Sequence, residues 1–580
     1  MRPTEQTRLD IYIVAIGGTG MAPLACLLQE QGHRVRGTDG ALYPPMSTLL
    51  ERAGIRPTVG YDAAHLEPAP DLVVVGNAVR SDNPEAIAAA RLGVPVLSMP
   101  QALARFFLAG RRPLVVTGTH GKTTTTAMAA WVYSQCGADP GYLIGGAPHD
   151  LPGSFAAGGA AAAAEPAGAV PAAPGEPGAP AAPAAPAAPA SPASPVSARG
   201  RFIVEGDEYN AAYFDRGAKF LHYRPETLIL TSVEYDHADL YATPEALREA
   251  YRQVIAQLPA DGLLVACGDT REVRELARRA PCRTILYGLE EGNEVRPAGC
   301  EPTRSASRFR VADAGAGEVT IELPLAGAHN VANALAVWAA ARRDGLAAGQ
   351  VAAALAGFHG VKRRLEELGS RGGVTVVDDF AHHPTAVGKT LAALRQSYPG
   401  RRLVALFEPR SLTAGRSMFF AAYREAFAAA DRVLFAPTFH SGRLSAEERL
   451  DFAAVAAALA ADGVSATRFA GVDELLAHAV AESRPGDVLV TMSSGSFEDL
   501  PRRLLAAVQA APAADGEAGA DAHSETAPQS GSRGLLTASI GSPPASPAPL
   551  PDRLRGAGSQ PGAAGGEGDA PSPSPTGVVT

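Results

Sequence analysis

The residues Leu114 to Thr126 read LVVTGTHGKTTTT, an apolar run ending in a glycine turn, a lysine and a row of hydroxyls. In such a turn between a strand and a helix, backbone N–H groups cradle phosphates, a lysine neutralises the terminal ones and the next hydroxyl reaches Mg2+. Gly118, Thr119, His120, Gly121, Lys122, Thr123 and Thr124 are therefore candidate nucleotide-binding residues, with Lys122 also a candidate catalytic cation and Thr123 a candidate metal ligand. The stretch departs from the standard GxxxxGK[ST] spacing, because Val116 stands where the first glycine belongs and Gly118 lies three residues before Gly121. The ligand expected is a nucleoside triphosphate.

Further chemistry-bearing residues follow apolar runs. Glu205 stands in FIVEGDEYN and His237 in VEYDHADLY, both at the ends of expected strands, where parallel sheets place their ligands. A carboxylate and an imidazole there can complete Mg2+ shells around a triphosphate, although imidazole is an unusual Mg2+ ligand and a capping or hydrogen-bonding role for His237 stays open. DDFAHHP, Asp378 to Pro384, places two histidines side by side, and such neighbours seldom converge on one ion without a third ligand of known spacing. Near the start, IGGTGMAP resembles a dinucleotide-binding turn, but Pro23 occupies the third glycine position if Gly18 and Gly20 are the first two. A helix N-terminus there suits another diphosphate, such as that of UDP; a tight turn without ligand is the alternative.

The elements that must position these residues follow from pattern. IYIVAIGGTGMAPLACLLQEQGHRVRGTD is a strand, a glycine turn, an amphipathic helix and a second strand ending in Asp39. Strand and helix alternate onward, which favours an α/β chain of parallel sheets covered by helices. The expected division is residues 1–108, 109–360 and 361–510, three domains in agreement with the 580-residue length. Ala156–Arg199 and Ala511–Thr580 are rich in Ala, Pro, Gly and Ser and are expected to be a flexible insertion and a disordered tail. A net charge of -9 offers no basic face for nucleic acid. Five cysteines without a CxxC pair argue against a structural zinc site or a disulfide framework. The charged N-terminus and the lack of an apolar span point to a cytoplasmic protein with no membrane insertion.

In combination, IGGTGM, TGTHGKTTT, EGDEY, EYDHAD, GAHNVANALA, KRRLE and DDFAHHP resemble the Mur ligases over residues 10 to 505, apart from the insertion. The resemblance implies a Rossmann-like N-terminal domain, a P-loop central ATPase-like domain and a Rossmann-like C-terminal domain. It further implies an enzyme that uses ATP and Mg2+ to form an amide bond through an acyl phosphate. Lys122, Glu205, His237, Arg364 and Asp379 match its catalytic positions, with Thr123, Glu205 and His237 about magnesium. Asn330 and Asn333 match its adenine-side asparagines, and Gly17, Gly18, Gly20 and Asp39 belong to its UDP-sugar domain. YPPMSTLLE, GYLIGGAP, FDRGAKFLHYRPETLIL and FEPRS look most like the branch that joins a murein tripeptide to UDP-N-acetylmuramate, with Arg410 as the candidate for a peptide carboxylate. Arg363 and Arg416 are further expected counter-charges. The branch that adds free L-alanine is the nearest alternative, and an NAD-dependent or non-catalytic nucleotide-binding protein a distant one. HADLYATPEALREAY holds no lysine after Asp236, so no carbamylated side chain is expected.

Overall fold

The computed structural model describes residues 8–159, 200–238, 240–302, 305–439 and 444–510. The expected tail 511–580 and residues 160–199 of the expected insertion lie outside them. The first sheet takes β1 (Asp10–Val14), β2 (Arg34–Asp39), β3 (Thr58–Val59), β4 (Leu72–Val75) and β5 (Val96–Ser98) in the order β3-β2-β1-β4-β5, all parallel. The crossover helix Met21–Glu30 buries almost every side chain, which is why its sequence is nearly continuous in apolar residues.

The central sheet holds β6 (Arg112–Thr117), β7 (Gly141–Leu143), β8 (Phe155–Ala156), β9 (Arg201–Gly206), β12 (Thr227–Leu230), β13 (Leu263–Cys267) and β14 (Arg283–Tyr287). Its order is β14-β13-β12-β6-β9-β7-β8, parallel except for β8. Between β9 and β12 a hairpin of β10 (Asn210–Ala212) and β11 (Asp215–Ala218) is inserted. β6, which feeds the phosphate loop, lies between β12 and β9, the strands that carry Glu205 and lead to His237. That adjacency brings sequence-distant residues to one sheet edge.

Strict alternation of parallel strand and helix does not hold everywhere. β15 (Pro297–Pro302), β16 (Ser307–Asp313) and β17 (Gly317–Leu323) form a separate antiparallel sheet. Its residues alternate buried and exposed along β16, the signature of a sheet with one wet face. The C-terminal sheet combines β18 (Glu366–Arg371), β19 (Val374–Asp379), β20 (Leu403–Phe407), β21 (Arg432–Phe435), β22 (Ser465–Arg468) and β23 (Val488–Met492) in the order β18-β19-β23-β20-β21-β22. β18 pairs antiparallel and the rest parallel.

The first two domains share one apolar core, in which Phe107 meets Phe202 with ring centroids 6.2 Å apart. The C-terminal sheet has its own cores on its two faces. Beneath the central sheet a polar cluster closes the far end: Asp344 accepts hydrogen bonds from Arg201 Nε at 2.6 Å, Tyr133 Oη at 2.6 Å and Arg112 at 3.0 Å. Burial would raise the Asp344 pKa, but Arg201, Tyr133 and Arg112 outweigh it and hold the carboxyl below the ordinary range.

Asp344→Asn leaves Arg201, whose side chain is 5% exposed, with Glu226 at 3.4 Å as its remaining carboxylate, and is expected to cost about 1.5–3 kcal/mol of unfolding free energy in urea titrations. In the wild type the contribution is present above the unfolded aspartate pKa of about 4 and is lost as pH falls through the lower folded value. Stability should therefore drop on acidification in the wild type and change less in the variant.

The described chain continues past Ala156, the end of β8, to Gly159 and resumes at Gly200. Gly159 donates to Asp139 O at 3.1 Å, Gly200 O accepts from Arg112 N at 3.2 Å, and a Cβ on Gly200 would stand 3.5 Å from Gly159 O. The two ends therefore meet. Joining Gly159 to Gly200 should leave soluble protein with ATP turnover within about threefold of wild type, since both anchors remain.

Candidate active site

The phosphate loop runs from β6 into the helix Lys122–Gln135, whose N-cap is Gly121 in the left-handed conformation at φ 82°. Gly118 has φ 130°, and a Cβ on it would lie 2.2 Å from Thr231 Oγ1, so only glycine fits both the turn and the close approach. Lys122 Nζ donates to Gly118 O at 2.7 Å and to both oxygens of Glu208, at 3.1 and 2.9 Å. His237 Nε2 reaches Glu208 Oε1 at 2.9 Å from the other side. Glu208, 1% exposed, was not foreseen. The signal lay in EGDEY, where a second glutamate follows Glu205 at a strand end.

Charge sets the protonation states here. Burial would raise the Glu208 pKa, but Lys122 and His237 draw it down to about 2. Burial would lower Lys122, yet Glu208, Asp207 and Glu205 leave it raised. Burial likewise works against a charged His237, and Glu208 and Asp236 overturn that, so its pKa is raised. His237 sits at φ 56°, a conformation that histidine tolerates better than most residues. In this arrangement its ring belongs to Glu208, the hydrogen-bonding alternative left open by the sequence.

Glu205 accepts from Thr123 Oγ1 at 2.9 Å and from Gly145 N at 2.7 Å. Its pKa is raised by burial and by Asp207, against Lys122. A hydroxyl and a carboxylate in contact beside an excess of acidic groups form a donor set that fits Mg2+. Arg364 reaches over from the C-terminal domain to Thr123 Oγ1 at 3.3 Å, while its guanidinium lies 4.6 Å from the Phe380 ring centre. Asp379 stays in the loop behind it, accepting from Leu365 N and Ala381 N, each at 2.7 Å, and from Thr390 Oγ1 at 3.2 Å. Asn333 lies against the phosphate loop, its Oδ1 2.9 Å from where a Gly121 Cβ would be. Asn330 donates to Ala326 O at 2.8 Å and lines a cavity of about 500 Å³ with His149, Arg364 and Tyr398.

Two groups of expected site residues stand apart from this cluster. Gly17, Gly18 and Gly20 turn the chain between β1 and its helix, and Gly17 N donates to Asp39 Oδ2 at 2.8 Å. A Cβ on Gly17 would meet Leu42 at 2.7 Å. Arg410 follows β20, with its guanidinium 3.8 Å from the Phe439 ring centre and 3.4 Å from Glu408 Oε1. Arg363 donates to Ser493 O at 2.8 Å and Gly495 O at 2.5 Å and pairs with Asp378. Arg416 pairs with Glu448 at 2.9 Å. Both are held by the fold.

Family models match residues 10–111 (Mur ligase family, catalytic domain), 190–341 (Mur ligase middle domain) and 363–495 (Mur ligase, glutamate ligase domain). The chain belongs to the Mur ligase family. Its members are ATP-dependent ligases that form C–N bonds in peptidoglycan synthesis. A relative from Escherichia coli, named UDP-N-acetylmuramate–L-alanyl-gamma-D-glutamyl-meso-2,6-diaminoheptandioate ligase, is 37% identical over 500 residues, covering 86% of this chain and 98% of the relative. A UDP-N-acetylmuramate–L-alanine ligase from Nocardioides is 34% identical, covering 85% and 95%. The solved murein peptide ligase of Psychrobacter arcticus superposes with a TM-score of 0.61 at 31% identity, covering 87% of this chain and 99% of that one. Among the described residues no helix of this Mur ligase is long and apolar enough to cross a membrane.

Lys122→Ala in this Mur ligase removes the loop cation and leaves Glu208 with His237 alone. Turnover should fall about 10²- to 10³-fold in a phosphate-release assay. Near-normal turnover would place the transferring phosphoryl group elsewhere.

Proposed function

We propose that this Mur ligase joins the tripeptide L-Ala-γ-D-Glu-meso-diaminopimelate to UDP-N-acetylmuramate at the expense of ATP, returning recycled cell-wall peptide to synthesis. The observation that carries the reading is the 37% identity across 98% of a relative named for that reaction. A carboxylate oxygen is a poor leaving group, so the muramyl carboxylate is first made an acyl phosphate, which the peptide amine then displaces. Lys122 meets the transferring phosphoryl group from the phosphate loop, and Arg364 adds positive charge from the C-terminal side. Mg2+, held by Thr123 and Glu205 with His237 near a second ion, supplies neutralisation of the phosphates when bound. His237 has to give up its proton and its bond to Glu208 to act as a ligand. Asn330 and Asn333 hold the adenine side. The turn Gly17–Gly20, with Asp39, takes the UDP group at its helix end.

The peptide has charged groups remote from its reacting amine, and remote charge needs a remote counter-charge. Arg410 supports that role because Thr413 of its loop accepts a hydrogen bond from Ala238 N at 3.1 Å, directly after His237. Its fork suits a carboxylate. The test is purified protein with ATP and UDP-N-acetylmuramate, given either tripeptide or L-alanine, with the product read by mass spectrometry. Tripeptide product without alanyl product is expected, and the reverse would assign the chain to alanine addition. Arg410→Ala should raise KM for tripeptide about tenfold to a hundredfold and leave KM for ATP nearly unchanged. A rise in the ATP value alone would move Arg410 to the nucleotide.

A further inference from the structure

Beside the phosphate cluster, but separate from its Glu205 and Glu208 contacts, three side chains from two domains converge. His120 lies in the phosphate loop, Glu234 follows β12, and His383 caps the helix Pro384–Ser397 of the C-terminal domain. His120 Nε2 is 3.3 Å from Glu234 Oε2, and His383 Nδ1 is 3.7 Å from the same oxygen. One ligand atom from each lies within 4.8 Å of the other two. The imidazole rings face one another at 5.0 Å between centroids.

Hydrogen bonding accounts for only part of this cluster. His120 Nε2 faces Glu234 Oε2 at 3.3 Å, whereas both ring nitrogens of His383, a residue 5% exposed, are enclosed and have no hydrogen-bond partner among the described residues. Buried polar nitrogens are seldom left so, and each one calls for a reason. A metal ion supplies one. Tetrahedral zinc with bonds of about 2.0–2.1 Å separates its ligand atoms by about 3.3–3.4 Å, close to the two measured edges. The same carboxylate oxygen is held in place by Thr385 Oγ1, which donates to Glu234 Oε2 at 2.5 Å, and a metal-binding carboxylate is commonly hydrogen-bonded in this way.

We propose that His120, Glu234 and His383 form a transition-metal site, of the zinc class, that ties the phosphate loop to the C-terminal domain. Two imidazoles and one carboxylate select zinc, cobalt or nickel over magnesium, which prefers an all-oxygen octahedral shell. The site is therefore distinct in kind from the oxygen-rich Thr123 and Glu205 pair. Three protein ligands leave a fourth position for water. Because the ligands come from two domains, the ion acts as a clasp that holds them together.

The test uses the full chain, stripped of metal and free of nucleotide, titrated with Co2+ as a spectroscopic probe and with Zn2+ in thermal melts. One Co2+ per chain with the visible bands of four-coordinate cobalt is expected, together with a rise in Tm on adding Zn2+. Glu234→Gln and His383→Gln should each weaken Co2+ binding by at least about tenfold and abolish the Tm rise, while their metal-free melts show that the chain still folds. Glu205→Gln should leave the bands in place. The proposal is overturned if no cobalt binds, if the bands persist in both Glu234→Gln and His383→Gln, or if Glu205→Gln removes them, which would put the ion at the nucleotide pair.

Discussion

The organisation of this ligase depends on a charge imbalance around one ammonium group. Glu205, Asp207 and Glu208 stand on or just after β9, and Lys122 is the cation of the loop that faces them. Burial makes each charge expensive, so the fold spends its geometry on pairing: Lys122 and His237 are both drawn to Glu208, which leaves Glu205 raised and bound only by Thr123 and Gly145. On the proposed function, a triphosphate would bring more negative charge to this place. It can enter only with cations, and the surplus carboxylates prepare for them. On that reading, carboxylates that repel a bare nucleotide would favour its magnesium complex.

The remaining positive charge arrives from another domain. Val361 to Leu365 form the passage between the central and C-terminal sheets, and Arg363 and Leu365 both have positive φ, at 61° and 54°. The passage is tied to the central domain by Lys362 N donating to Ala147 O at 2.9 Å and to its own domain by Leu365 N donating to Asp379. Arg364, pinned between these two ties, is carried to Thr123. Asp379 thus fixes the backbone that presents Arg364 to the phosphate loop. The first two domains share one apolar core, while the C-terminal sheet keeps its own cores and reaches them through the Arg364 passage.

The phosphate loop was legible because its chemistry is local: glycines, lysine and threonine are consecutive, and the loop's flanks alternate strand with helix. The same holds for the glycine turn before Met21 and for the parallel strands of all three sheets. Glu208 was missed because DEY sits at the end of an obvious motif, and only the sheet order shows that β9 abuts β6 and turns that glutamate toward Lys122. The adjacent histidines in DDFAHHP lacked a third ligand in sequence; His120 and Glu234 lie more than a hundred positions away, and no periodicity links them. The antiparallel ribbon β15 to β17 escaped because it interrupts a helical and parallel-strand rhythm without a strong hairpin signal. The contacts of Arg363 were not legible either, since a basic pair in KRRLE does not reveal that one guanidinium faces carbonyls of the β23 loop.

If Arg410 takes the peptide carboxylate as proposed, its surroundings already prepare it for that ligand. A guanidinium on a flexible chain loses rotamer freedom on binding, which weakens what it can contribute. Here Phe439 supports one face of the group at 3.8 Å and Glu408 restrains an edge at 3.4 Å, so much of that ordering is already complete. Glu408 is itself fixed by the Ser493 hydroxyl, beside the carbonyls that hold Arg363. The chain then passes Gly495, where a Cβ would stand 2.1 Å from Arg410 Nε. Any side chain at that position would displace the guanidinium from its ring. The placement of the Arg410 guanidinium thus rests on a glycine in the loop after β23, the same loop that Arg363 anchors.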